Sequence, residues 1–248
     1  MRHEPIQALQ AMSRRPPAPA AGPALLIAGA TGPLGNEMLR RLAGSGHYGP
    51  VLILVREPIT EGLRGISCLQ VPQEVDASWP AVGAQVGVIL FDPPRLFYDR
   101  ERALWTPRPD QLRALAGWMR GCGVGTLAVV LPHHQGRLPE ALKRGLANLD
   151  EHAVAALGFE RVLFVRSAQK PASAPAGNLP VRAANFMLSV FRYMVPSSEQ
   201  PVRAAKVSEL VATALRLAPP GIHVAAPELV WRAAQGNLQG LVAAWLGR

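Results

Sequence analysis

Cysteine is nearly missing from this chain. Cys68 and Cys122 stand alone in apolar surroundings, without Cys-x-x-C spacing. Two such residues cannot build a disulfide framework, and a reduced, cytoplasmic protein is the expectation. The histidines include the adjacent pair His133 and His134, but no His-x-x-x-His spacing and no Cys/His cluster occurs, so no bound metal is expected. Long apolar runs are lacking as well. No uninterrupted stretch reaches the roughly 18 residues of a membrane-spanning helix, which leaves no expected membrane span.

Acidic residues are few, 17 Asp+Glu against 26 Lys+Arg, for a formal charge of +9. Such a balance favours phosphate-bearing ligands, anionic partners or acidic surfaces. The basic residues are scattered, however, and no interleaved aromatic-basic patch appears, so nucleic acid is not an expected partner. Residues 1–23 carry Arg2, Arg14 and Arg15 in a Pro/Ala tract without an apolar signal core. They read as a disordered leader rather than a secretory peptide.

What the chain does have is 248 residues, 49% of them hydrophobic, enough to bury the core of one sizeable α/β domain. Short apolar runs alternate with longer stretches rich in helix formers, the rhythm of a doubly wound parallel sheet. Strands are predicted at Leu25 to Ala28, Val51 to Val55, Ile66 to Val71, Val86 to Phe91, Thr126 to Leu131 and Arg161 to Val165. Helical stripes fall on Leu34, Met38, Leu39 and Leu42, on Leu112, Leu115, Trp118 and Met119, and on Leu138, Leu142, Leu146, Leu149 and Ala153. These stripes are core faces.

Residues 24–169 therefore read as a Rossmann-like core. Lys170 to Gly177, rich in Pro, Ser and Gly, reads as a surface loop. Beyond it, helices are expected around Phe186 to Phe191 and Val207 to Leu215. A short strand follows at Ile222 to Ala225, then a helix containing Trp231 and an amphipathic end near Leu241 and Trp245. Residues 170–248 are expected to form a small, helical, substrate-side segment of the same domain.

The most informative stretch is Gly29-Ala30-Thr31-Gly32-Pro33-Leu34-Gly35, set between the run Ala24-Leu25-Leu26-Ile27 and the first helical stripe. A strand that delivers a glycine-rich turn to a helix N-terminus points backbone N–H groups at a phosphate, and absent side chains let a diphosphate come close. Gly29, Thr31, Gly32, Pro33, Leu34 and Gly35 are the candidate cofactor-binding residues, with Thr31 and Leu34 lining the phosphate and ribose side. The alternative is an ordinary tight turn whose glycines serve close packing. Arg56 ends the second strand 21 residues after Gly35, where an NAD-selective site usually places an acid. A guanidinium there suits the 2′-phosphate of NADP, while a solvated strand cap is the other reading. Asp92, in Phe91-Asp92-Pro93-Pro94 after the fourth strand, either approaches the nicotinamide ribose or caps the following turn. Asp76 is a weaker candidate for an adenine contact.

With these residues in place, the chain resembles the atypical short-chain dehydrogenase/reductases. It is most similar to their small NAD(P)-binding branch related to the Tat-interacting oxidoreductase-like proteins, over roughly residues 24 to 235. The glycine turn carries most of the likeness. Leu157-Gly158-Phe159-Glu160-Arg161-Val162 through Arg166 resembles the lead into the sixth strand, and Val224-Ala225-Ala226-Pro227-Glu228-Leu229 the closing strand and helix. The resemblance implies NADP or NAD as cofactor.

It also implies a serine after the fifth strand and a Tyr-x-x-x-Lys pair on the next helix, which polarise a carbonyl and move a proton. Here the tyrosine position falls on Lys143, the lysine position on Ala147, and the serine region reads Leu131-Pro132-His133-His134. The leading expectation is an NAD(P)-binding or regulatory module with a degenerate centre, serving a small-molecule or protein partner. The alternatives are an NADPH-dependent oxidoreductase whose proton donor is His133, His134 or Lys143, and a structural or assembly factor that binds no nucleotide.

Overall fold

The computed structural model describes residues 22–59, 65–76, 78–95, 99–131, 151–166 and 203–247. Among them, seven strands run parallel in one sheet: β1 (Leu25–Ala28), β2 (Val51–Val55), β3 (Ile66–Gln70), β4 (Val86–Leu90), β5 (Thr126–Leu131), β6 (Arg161–Arg166) and β7 (Gly221–Ala225). The helices are α1 (Gly32–Ala43), α2 (Asp99–Ala103), α3 (Leu112–Gly121), α4 (Glu151–Ala155), α5 (Ala204–Leu217), α6 (Pro227–Gln235) and α7 (Leu238–Trp245). The strand order β3-β2-β1-β4-β5-β6-β7 is the doubly wound, Rossmann-like arrangement expected from the alternating pattern. It reverses between β1 and β4. The connections leaving those two strands diverge, and the crevice at their carboxyl ends is where such sheets hold ligands.

The strands are apolar at successive positions because both faces of the sheet are covered. Leu25, Ile27, Ile53, Val88, Val130 and Leu163 enter one layer, while Leu26, Leu54, Ile89, Val129, Val162 and Phe164 enter the other. Side chains alternate across the sheet, yet the central strands β1, β4 and β5 are buried on both faces, so there the sequence shows unbroken apolar runs instead of alternation, while the edge strands β3 and β7 expose positions such as Ser67, Ile222 and Val224. In the first layer, Leu34, Met38 and Leu42 of α1 meet Val207, Leu210 and Val211 of α5. In the second, Leu112, Leu115 and Met119 of α3 pack with Trp79 and Trp105. Each fully buried side chain of this size contributes roughly 1.5–3 kcal/mol through burial.

Residues 203–247, expected on the substrate side, extend this same core: β7 pairs in parallel with β6, matching Val162 to Ile222, and α5 packs in the layer of α1. The expected leader up to residue 21, the Lys170 to Gly177 loop and the helix around Phe186 to Phe191 lie outside the described residues. Of the stripe from Leu138 to Ala153, only the part within α4 is described. Among the described residues, no helix is long and apolar enough to cross a membrane.

One stretch positions the site. The chain between β4 and α3 does not pass straight from strand to helix; part of it folds back over the carboxyl end of β2. Leu104 makes an antiparallel bridge to Val55. The Trp105 N–H donates to the Leu54 carbonyl at 3.0 Å, and the Arg56 N–H donates to the Ala103 carbonyl at 2.7 Å. Trp105 is fully buried, donates Nε1–H to the Pro72 carbonyl at 3.0 Å, and meets the Trp79 ring edge-on at 5.2 Å. A large aromatic with its polar end satisfied anchors this return.

Candidate functional site

The glycine turn has the backbone geometry that its sequence requires. Gly29 and Gly32 take positive φ values of 82° and 65°, a region that disfavours residues with a Cβ. A Cβ on Gly29 would strike the Leu90 carbonyl, and one on Gly32 would strike the Asp92 carboxylate. Thr31 occupies the cap position of α1 without capping it. Its side chain is buried, and its hydroxyl donates to the Asp92 carbonyl at 2.5 Å. Pro33 has no N–H, and the Gly35 N–H already donates to the Thr31 carbonyl at 3.0 Å. The Gly32 and Leu34 amides are the ones that donate to side-chain oxyanions.

Both donors have carboxylate partners. The Gly32 N–H donates to Glu101 Oε2 at 3.0 Å, and the Leu34 N–H donates to Asp92 Oδ2 at 2.8 Å. Glu101, from α2, is only 3% exposed. It also accepts from the Arg95 N–H at 2.7 Å, from Arg95 Nε at 2.6 Å and from Asn36 Nδ2 at 2.8 Å. Burial pushes the Glu101 carboxyl up, but the Arg95 side chain, the Arg95 and Gly32 amides and the Arg95 charge together hold it below the usual carboxylate range. It is an ionised, fully bonded anion at neutral pH. Asp92 behaves differently. Burial and the charge of Glu101 push it up to about 6, against the opposing pull of the Leu34 amide and Arg95. Two carboxylates therefore stand at the mouth of the turn where a dinucleotide would bring its two diphosphate charges.

Beside them lies a cavity of about 280 Å³, lined in part by Arg56, Gln73, Phe91, Pro93, Thr106 and Arg108. It falls just below the roughly 300–1,000 Å³ of ordinary small-molecule pockets. Arg56 reaches it from the end of β2. The guanidinium donates through Nε to the Arg102 carbonyl at 3.2 Å and more closely to the same oxygen through Nη2. Its partner is a neutral carbonyl, and no carboxylate pairs the guanidinium among the described residues. Arg108 is committed instead, donating through both Nη atoms to Glu74 at 2.9 and 2.8 Å.

Of the residues singled out from sequence, Gly29, Thr31, Gly32, Pro33, Leu34 and Gly35 form the turn, Asp92 joins it directly, and Arg56 stands at the neighbouring cavity. Asp92 reaches back to α1, accepting from the Leu34 N–H. Asp76 is bound up locally, accepting from the Ser78 N–H at 2.8 Å. His133, His134 and Lys143 lie outside the described residues, as do Tyr98 and Ala147. Sequence reasoning missed Glu101, Arg95 and Asn36. Gly32 and Glu101 are 69 positions apart, and no local pattern links them; the one available signal was a cluster of charged residues just beyond Asp92-Pro93-Pro94.

No protein-family model matches this chain, and no curated protein matches it either. Solved structures do resemble it. A nucleoside-diphosphate-sugar epimerase from Staphylococcus aureus is 15% identical, with 82% of this chain and 70% of that one covered and a TM-score of 0.48. An ADP-L-glycero-D-manno-heptose-6-epimerase from Helicobacter pylori is 11% identical over 88% of this chain and 84% of that one, with a TM-score of 0.49. A triphenylmethane reductase from Citrobacter sp., solved with NADP(H), is 17% identical over 77% and 65%, with a TM-score of 0.46. At these identities the likeness is one of fold.

Proposed function

We propose that this chain is a dinucleotide-binding module of the atypical short-chain dehydrogenase/reductase type that acts by binding, its Ser/Tyr/Lys centre having been replaced. One observation carries the reading: the Gly32 and Leu34 amides converge on oxyanions at 3.0 and 2.8 Å from a turn with glycines at the required positive φ. That is how a phosphate cradle works. The resemblance adds the replacement of tyrosine by Lys143 and of lysine by Ala147, which removes the positioned proton donor, a loss worth about 10²- to 10⁴-fold in rate.

NADP(H) is the favoured ligand. Arg56 ends β2 beside the cavity with a charge that no carboxylate pairs among the described residues, and a guanidinium grips a 2′-phosphate through charge-assisted bonds. The residues present fit the nicotinamide dinucleotide in kind: Gly32 and Leu34 would hold its diphosphate and Arg56 its 2′-phosphate. Bound there, the cofactor would supply a hydride donor or acceptor. This chain's own residues would orient it.

A second reading has a specific observation behind it. The carboxylates of Glu101 and Asp92 already hold both amides, which suits an assembly factor that keeps the fold and binds no nucleotide. Calorimetric titration of the purified chain with NADPH and NADH separates the two. Saturable binding with NADPH the tighter ligand supports the first reading, and no heat with either at millimolar concentration supports the second. Robust NADPH oxidation with carbonyl or quinone substrates, abolished by changing Lys143, His133 or His134, would defeat both.

A further inference from the structure

Glu101 is an unusual residue to find against a phosphate cradle. Carboxylates are almost never buried to this degree unless fully partnered, and Glu101 is so partnered. One oxygen takes the amides of Gly32 and Arg95, and the other takes Asn36 and the Arg95 guanidinium, with an Arg95 Nη2 contact at 2.5 Å closing the ion pair. Asn36 is itself fixed by the turn, donating to the Gly32 carbonyl at 2.8 Å. Glu101 therefore sits among donors that belong to α1 on one side and to the return from β4 on the other. Its α2 neighbours are tied to β2 through the Ala103 carbonyl and the Leu104 bridge. The oxyanion is thus supplied from a segment anchored to the carboxyl end of β2.

We propose that Glu101 is the cradle's internal ligand: it occupies the oxyanion position at the Gly32 amide, and a diphosphate binds only by displacing it. This deepens, and rests on, the dinucleotide reading above. Two anions cannot share one amide donor at hydrogen-bond distance, because the repulsion between them is strongest where water is excluded. The dinucleotide's observed affinity is therefore its affinity for the open cradle multiplied by the fraction of molecules in which Glu101 has left. Arg95 sets that fraction by holding the carboxylate in place, and Asp92 holds the second amide, that of Leu34. Arg56 belongs to the same exchange. Its guanidinium is held by the Arg102 carbonyl, next to Glu101 in sequence, so releasing α2 would free Arg56 for the 2′-phosphate.

The experiment titrates full-length wild type, Glu101→Gln and Glu101→Ala with NADPH and, separately, with inorganic pyrophosphate, after circular dichroism has verified each fold. Glu101→Ala should bind both probes about 10- to 100-fold more tightly than wild type. Glu101→Gln should fall between, since its amide oxygen still accepts from Gly32 but loses the charge paired with Arg95. It is nearly isosteric and decides the matter alone if the alanine variant does not fold. Dissociation constants unchanged across the series would overturn the proposal. Pyrophosphate affinity gained in the variants without any NADPH binding would keep Glu101 as internal ligand and discard the dinucleotide reading. No binding of either probe to either variant would overturn the proposal itself.

Discussion

Asp92 carries a pH signature that Glu101 does not. Its folded pKa of about 6 lies above the ordinary value of 3.8. Between about pH 4 and pH 6, then, the folded chain keeps a proton that the unfolded chain has released. The folded state binds more protons across that window, and stability falls as pH rises through it. Above the window the penalty is on the order of 3 kcal/mol. Asp92→Asn keeps an acceptor for the Leu34 amide and removes the buried charge. Urea unfolding from pH 4 to 7 should show the variant gaining on wild type as pH rises and ending the more stable of the two; parallel curves would refute the assignment. Gly32 yields the opposite kind of prediction. Alanine there must hold a positive φ and push against the Asp92 carboxylate. The expected cost is about 1–3 kcal/mol in stability, read by denaturation, with NADPH binding lost alongside it.

At the level of elements, the legible parts were those whose pattern is local. β1, β2 and β5 begin and end where the apolar pattern predicts, because strands covered on both faces are apolar at nearly every position. β3 and β4 each stop one residue short of the expected Val71 and Phe91, and β6 runs one further, to Arg166. The stripes of α1, α3 and α5 were equally plain. The return between β4 and α3 was not. α2 spans five residues, too short to display a helical period, and the Leu104 bridge to Val55 is a contact between distant segments. What anchors this return is Trp105. Trp105→Ala should cost about 3–5 kcal/mol, as expected for a fully buried large aromatic. A loss below about 1 kcal/mol in urea unfolding would mean that Trp79 and its neighbours close over the gap or that the return is held elsewhere.

Across the whole molecule, the switch between β1 and β4 brings together residues that the sequence keeps apart. The glycine turn could be read in advance because its spacing encodes its own backbone. Its occupant could not, because Glu101 reaches the Gly32 amide only once the sheet has formed. On the proposed reading, the same convergence would set a preference for NADPH over NADH. Arg56 and the turn come from successive strands, so one ligand must span both to use both. Arg56→Ala should therefore weaken NADPH by about tenfold or more, consistent with a charged hydrogen bond, while barely changing NADH. Equal losses for the two cofactors, measured by calorimetry, would remove Arg56 from the site.

The cradle itself is best tested at the two amides that define it. In a ¹H–¹⁵N spectrum of the full chain, NADPH should shift the Gly32 and Leu34 resonances saturably, and a Gly32→Ala variant should show no such response at Leu34. If neither resonance moves up to millimolar NADPH, in the wild type or after Glu101→Gln, the turn does not hold a diphosphate and the account of this chain as a dinucleotide binder is wrong.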